Sequence, residues 1–224
     1  MNLLAIETTG NRASTALAEG NGRIEVRTSE QTLSHLQNLI PMIEDLLRSC
    51  GKTTEDLDAI AVSEGPGSFT GIRIGVATAR ALGQALDLPC IGVPTLRSFT
   101  YHYRNADALL CPMLDARRGQ VFAGAYLWEN DVCRSLVKDG VYALSEFEEL
   151  AAAAAGNCGK VIQKLGEDEQ DAGAVAEAAF ELYHAGRAVS FEELEPVYLR
   201  QAEAERKLQE RLKKEAEAKA GIGK

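Results

Sequence analysis

The stretch Ser63-Glu64-Gly65-Pro66-Gly67-Ser68-Phe69-Thr70-Gly71-Ile72-Arg73-Ile74-Gly75 decides how the rest of the chain is read. It grows out of Ala59-Ile60-Ala61-Val62-Ser63, a short apolar run without alternation, as a central strand covered on both faces requires. It runs into a segment, Thr70 to Leu86, whose composition predicts a helix. A strand, a glycine-rich turn and a helix N-terminus admit two readings. Free N–H groups and the helix dipole make such a turn an anion or nucleotide site, with Gly67 and Ser68 as contacts. The other reading is a tight structural turn whose glycines supply positive φ. No Gly-Lys-Ser/Thr follows, so this is not a Walker A loop. It is not a nucleophile elbow either, because Pro66 and Thr70 stand where glycines would flank Ser68.

Inside the predicted helix, Gly71, Gly75, Ala79 and Gly83 recur every fourth residue and form a smooth ridge. A glycine in a helix costs about 1 kcal/mol against alanine, so three of them call for a packing reason. The ridge serves close packing within the monomer or the approach of a partner helix.

Working toward the N-terminus, Leu33 to Cys50 predicts a helix. Leu36, Leu39, Ile40, Ile43, Leu46 and Leu47 share one face, and Pro41 marks a kink or local irregularity. Leu3–Thr8, Ala13–Glu19 and Arg23–Thr28 read as three antiparallel strands, with Gly20-Asn21-Gly22 as a hairpin turn. Cys90–Val93 is a further strand, and Thr95–Arg104 a helix. The second half restarts the pattern. Leu109–Leu114, Gln120–Trp128 and Val132–Val137 read as strands. A helix capped by Ser145 and Glu148 runs through Ala155, then Lys160–Leu165 is a strand and Ala172–His184 a helix. The chain is therefore α/β, with a lobe over 1–104, a second over 105–200 and a cleft between them. Residues 201–224 form a charged helical or disordered tail.

The composition limits what such a molecule does. The last 24 residues carry five Glu against seven Lys or Arg; the whole chain carries −9, so residues 1–200 carry −11. Such a body is poorly suited to gripping a phosphate backbone alone. Five widely spaced cysteines without a C-x-x-C pair read as free thiols of a reducing compartment. The start, Met1-Asn2-Leu3-Leu4-Ala5-Ile6-Glu7, lacks a basic n-region, and no apolar run approaches 18 residues, so a cytoplasmic protein without a membrane span is expected. Glu7 and Asp115 end strands at matching places in the two halves, where a pair of acids can hold magnesium near a phosphate. His35 has Leu39 at i+4, so a second metal-binding imidazole is missing.

The glycine segment, extended through Val76-Ala77-Thr78-Ala79-Arg80, resembles the signature of the bacterial TsaB family, also called YeaZ. Leu4-Ala5-Ile6-Glu7-Thr8-Thr9, Leu33 to Pro41, Asp115 to Phe122 and Pro196-Val197-Tyr198-Leu199-Arg200 fit its other landmarks, over about residues 2–200. The resemblance implies an actin-like ATPase (ASKHA) fold of two ribonuclease H-like β-β-β-α-β-α lobes with a degenerate cleft. It implies a pseudo-enzyme that partners and activates its paralogue TsaD in forming N6-threonylcarbamoyladenosine at position 37 of tRNAs reading ANN codons. TsaE, an ATPase, joins that complex, and TsaC makes the threonylcarbamoyl-adenylate. The tRNA is then reached only through the complex. No cofactor of the chain's own is implied, any nucleotide being held mainly by the partners.

TsaD-like enzymes carry a His-x-x-x-His metal pair where this chain has His35 and Leu39. Glu7 stands where the family usually has Asp, and the extra methylene moves a carboxylate by roughly 1.5 Å. The family's heterodimer packs the first two helices against those of TsaD. Carried over, Leu36, Leu39, Ile43, Gly71, Gly75 and Ala79 are the interface candidates, and the same surface forms a homodimer when TsaD is absent. The alternatives are a stand-alone small-molecule kinase or ATPase using Glu7, Asp115 and the Gly65–Gly71 loop, and a protease, for which the chain lacks a nucleophile–base pair.

Overall fold

In the computed structural model, residues 1–29 and 35–200 are described. The Leu33 start of the first helix, the side chain of Leu36 and the tail 201–224 lie outside the described residues. Strands β1 (Asn2–Glu7), β2 (Ser14–Glu19) and β3 (Ile24–Thr28) form an antiparallel meander, with Asn2 opposite Glu19 and Glu7 opposite Ser14. Helix α1 (His35–Ser49) carries the chain to β4 (Ala59–Gly65), parallel to β1. Helix α2 (Phe69–Leu86) carries it to β5 (Cys90–Pro94), parallel to β4. The sheet order is β3-β2-β1-β4-β5. Helix α1 runs on through Pro41, an exposed position where water can satisfy the carbonyl that proline leaves unpaired.

Two faces of β1 and β4 explain which helices cover them. Leu4, Ile6, Ile60 and Val62 point to α1 and α2, and pack with Leu39, Ile43, Ile72 and Val76. Leu3, Ala5, Ala59 and Ala61 point the other way, in keeping with the two-residue period of a strand. That second face is built largely of alanine, and the helix against it, α5 (Ala172–His184), is alanine-rich as well. Small residues on both sides let α5 lie close to β1, β2 and β5.

The expected helix over Thr95–Arg104 is shorter and mixed: α3 (Thr95–Ser98) passes into a 3-10 turn over Phe99–Tyr103. The second sheet follows with β6 (Ala108–Asp115), β7 (Gln120–Glu129), β8 (Val132–Ala143) and, after α4 (Leu144–Cys158), β9 (Val161–Leu165) parallel to β6. Its order, β8-β7-β6-β9, repeats the first four positions of the first sheet, without a fifth strand among the described residues. Helix α4 begins one residue before the expected cap. The Ala143 amide donates to Glu146 at 3.3 Å, so the Ser145–Glu148 box gives way to Glu146.

These two mixed sheets have the β-β-β-α-β-α order of the actin-like fold. Helix α5 follows β9 in the chain but packs on the first sheet, and one hydrophobic core joins Leu110, Leu114, Tyr126 and Trp128 to Leu3, Leu96, Phe99 and Val175. All five cysteines are free thiols.

Candidate functional site

Between the sheets opens a cavity of about 830 Å3. Thr9, Gly67, Ser68 and Phe69 line it from the first sheet, and Asp115, Arg117 and Gln120 from the second. The glycine segment brings the strand end and the helix start together by close approach. Ser68 caps α2, its Oγ accepting from the Gly71 amide at 3.3 Å, and its own amide donates to the Thr9 carbonyl at 2.7 Å. Gly67 has φ +156°, and a methyl group there would overlap Thr9. The Thr8 hydroxyl donates to the Gly71 carbonyl at 2.8 Å.

Helix α2 has its glycine ridge turned inward. A methyl at Gly71 would overlap the Thr8 carbonyl oxygen, one at Gly75 the Thr8 hydroxyl, and one at Gly83 the Cys90 sulfur. Ala79 is fully buried. Leu39 and Ile43 lie in the same core. Within the chain, the interface candidates Leu39, Ile43, Gly71, Gly75 and Ala79 seat α1 and α2 on their own sheet. Gln37, Ile40, Pro41, Thr70, Arg73, Ala77 and Ala81 are exposed on the two helices instead.

The candidate acids part company as well. Asp115 is exposed in the cleft, and its carboxylate accepts from the Arg117 amide at 2.7 Å. That bond belongs to a tight turn in which Arg117, Arg118 and Gly119 have φ of 62°, 59° and 72°. Glu7 is fully buried and does not line the cleft. Its Oε1 accepts from the Thr9 amide at 2.5 Å and the Thr9 hydroxyl at 2.6 Å. Its Oε2 accepts from the Ser63 hydroxyl. The Thr9 hydroxyl in turn accepts from Gln170 Nε2 at 2.7 Å, which ties β1 to the start of α5. Burial pushes the Glu7 carboxyl above the ordinary carboxylate range, while the Ser63 and Thr9 hydrogen bonds act in the opposite direction. Glu7 thus braces the cleft floor through Thr9, while Asp115 lies exposed in the cleft.

Sequence reasoning passed over the segment that crosses the cleft. Val197, Tyr198, Leu199 and Arg200 line the cavity together with the glycine turn. Their motif was legible only as a landmark, because nothing local indicates which elements an extended run will touch. Among the described residues no three His, Cys, Asp or Glu side chains are placed to hold a metal, and no helix is long and apolar enough to cross a membrane.

Comparison with known proteins places this arrangement in a family. Residues 28–220 match the family model described as TsaD, tRNA N6-adenosine threonylcarbamoyltransferase. The tRNA threonylcarbamoyladenosine biosynthesis protein TsaB of Bacillus subtilis is 35% identical over 150 residues, 67% of this chain and 66% of that protein. TsaB of Escherichia coli is 29% identical over 229 residues, covering 93% of this chain and 98% of that protein. The solved structure of YeaZ from Pseudomonas aeruginosa superposes with a TM-score of 0.74 at 29% identity, over 88% of this chain and 99% of that one. With sheet order, glycine segment and full-length similarity in agreement, the chain belongs to the TsaB (YeaZ) family of tRNA threonylcarbamoyladenosine biosynthesis proteins.

Proposed function

We propose that this chain is the non-catalytic partner and activator of a TsaD-type paralogue. In this reading the complex forms N6-threonylcarbamoyladenosine at position 37 of tRNAs reading ANN codons, with a TsaE-type ATPase as a further subunit. The observation that carries the non-catalytic reading is the state of Glu7. It is buried beneath the cleft with both carboxyl oxygens engaged by Thr9 and Ser63, so it offers no ligand to a metal or phosphate. The acidic net charge supports contact with tRNA through the complex rather than by this chain alone. The reading places the protein in the cytoplasm, with no cofactor of its own.

The partner surface in this proposal is the outer face of α1 and α2. Ile40 is 44% exposed beside Pro41, and Ala77 and Ala81 present small side chains one turn apart. Small residues one turn apart let a second helix pair approach closely, and an exposed isoleucine supplies an apolar anchor. The same face serves a homodimer when TsaD is absent. Ala77→Arg tests it, because a long cation there blocks helix approach while pointing into solvent in the monomer. Titration calorimetry with TsaD of the same organism is expected to show binding by the parent chain and at least about tenfold weaker binding by Ala77→Arg, with unchanged melting of the variant alone. Equal binding by both would remove this face from the proposal.

A second reading keeps its own observation. The cavity and the Ser68-capped N-terminus of α2 suit a small-molecule kinase or ATPase. That reading requires magnesium-dependent nucleotide turnover by the purified chain, lost in Asp115→Ala.

A further inference from the structure

The run from Val189 to Arg200 begins on the first sheet. Val189 and Cys90 exchange both backbone hydrogen bonds, at 2.8 and 2.9 Å. Leu194 is 2% exposed and packs in the core under α2. The Val197 amide then donates to the Glu64 carbonyl at 2.7 Å, extending the end of β4. Gly65 makes room for this, since a methyl there would overlap the Val197 carbonyl oxygen. Tyr198 stacks on Phe69 with ring centroids 4.9 Å apart, and its hydroxyl accepts from Arg73 Nε at 3.0 Å. The Arg73 guanidinium also lies 3.9 Å from the Phe69 ring centroid, so cation, ring and ring form one stack at the first turns of α2. Two residues on, the chain leaves the first sheet. Arg200 donates from one nitrogen to the Ala116 carbonyl and from the other to Gln120 Oε1, both in the turn joining β6 to β7.

We propose that Val197–Arg200 is a clamp that fixes the opening of the cleft, anchored on the first sheet at Glu64 and Phe69 and latched to the second sheet by Arg200. Elsewhere the two sheets already share a core through α3 and α5. The clamp adds a tie along the cavity, whose lining it joins. A stretch of the chain itself thus spans from the first sheet to the second. The latch depends on arginine, because a planar fork with several N–H groups reaches a backbone carbonyl and a side-chain oxygen at once, and a lysine ammonium does not match that geometry. The proposal does not depend on the identity of any partner.

Hydrogen exchange on the full chain, read by mass spectrometry, tests it. In Arg200→Ala the Val197 amide is expected to exchange about tenfold faster than in the parent, with the turn 116–120 losing protection alongside it. Gln120→Ala removes one acceptor at the far end of the latch and is expected to give about a threefold increase at the same amide. It decides the question if Arg200→Ala fails to fold. Distances between genetically encoded labels at the exposed positions Asn21 and Asp131 are expected to broaden in both variants. Unchanged Val197 exchange and unchanged label distances in a folded variant overturn the clamp.

Discussion

Glu7 shows how much one methylene and three hydroxyl or amide neighbours decide. Its place at the end of β1 was readable, and the choice between ligand and brace was not, because Ser63 reaches it from β4, far away in sequence, and Gln170 holds the Thr9 hydroxyl that bonds to it. Burial raises its pKa above the reference value of 4.5. The stability that goes with its protonated form is therefore complete below about pH 4.5 and lost as pH rises through the folded-state value. Glu7→Gln keeps the shape: Oε1 still accepts from Thr9, and Nε2 donates to Ser63. Melting curves from pH 4 to pH 8 should show the Gln variant gaining on the parent as pH rises. A difference independent of pH would contradict the assignment. His102 behaves in the reverse chemical sense with the same sign. Its hydrogen bond to Asp171, at 2.5 Å, raises its pKa above 6.5, so its contribution is complete below about pH 6.5 and fades as pH rises through the folded value. His102→Gln should cost stability at pH 6 and little at pH 9. Asp171→Ala should cost about 1–2 kcal/mol at pH 9, where its cap on α5 through the Gly173 and Ala174 amides is lost, and more at pH 6, where the His102 pair is lost with it.

At the scale of elements, α2 carries the main lesson. The four-residue spacing of Gly71, Gly75, Ala79 and Gly83 was legible as a smooth ridge, and periodicity alone does not say what lies against it. The structure puts Thr8, Val62 and Cys90 there, contributed by the residue after β1, by β4 and by β5. Gly75→Leu should therefore damage the monomer, by several kcal/mol or to the point of not folding, since backbone and β-strand side chains cannot move aside. A folded Gly75→Leu monomer with parental melting would contradict this packing. Strand positions were readable because Leu3–Glu7 and Ala59–Ser63 are short apolar runs bounded by turns. The shortening of the Thr95–Arg104 helix was not. There, ring packing of Tyr101 against Trp128 and the Tyr101–Glu181 hydrogen bond favour a 3-10 turn that brings these groups into contact.

For the whole molecule, the repeated order of elements pointed to two related sheets, and both are present. Two features escaped that order, both of them long-range: the crossing of α5 to the first sheet and the Val189–Arg200 run across the cleft. Each depends on which surface an element meets after the chain has collapsed, and local pattern carries no record of that choice. The outcome is one molecule with a core shared by both sheets, a cavity between them lined by Asp115, Arg117 and Gln120 among others, and an outward face on α1 and α2 that presents Ile40, Ala77 and Ala81. Under the proposed function, that outward face meets the partner. Reconstitution measures it most directly: tRNA with TsaC, TsaD and TsaE of the same organism, and this chain added as parent, Asp115→Ala or Ala77→Arg. The account predicts threonylcarbamoyladenosine formation that requires the chain, persists near the parental rate with Asp115→Ala, and falls at least about tenfold with Ala77→Arg. Formation lost with Asp115→Ala and retained with Ala77→Arg would place the chemistry in this chain's own cleft and contradict the account.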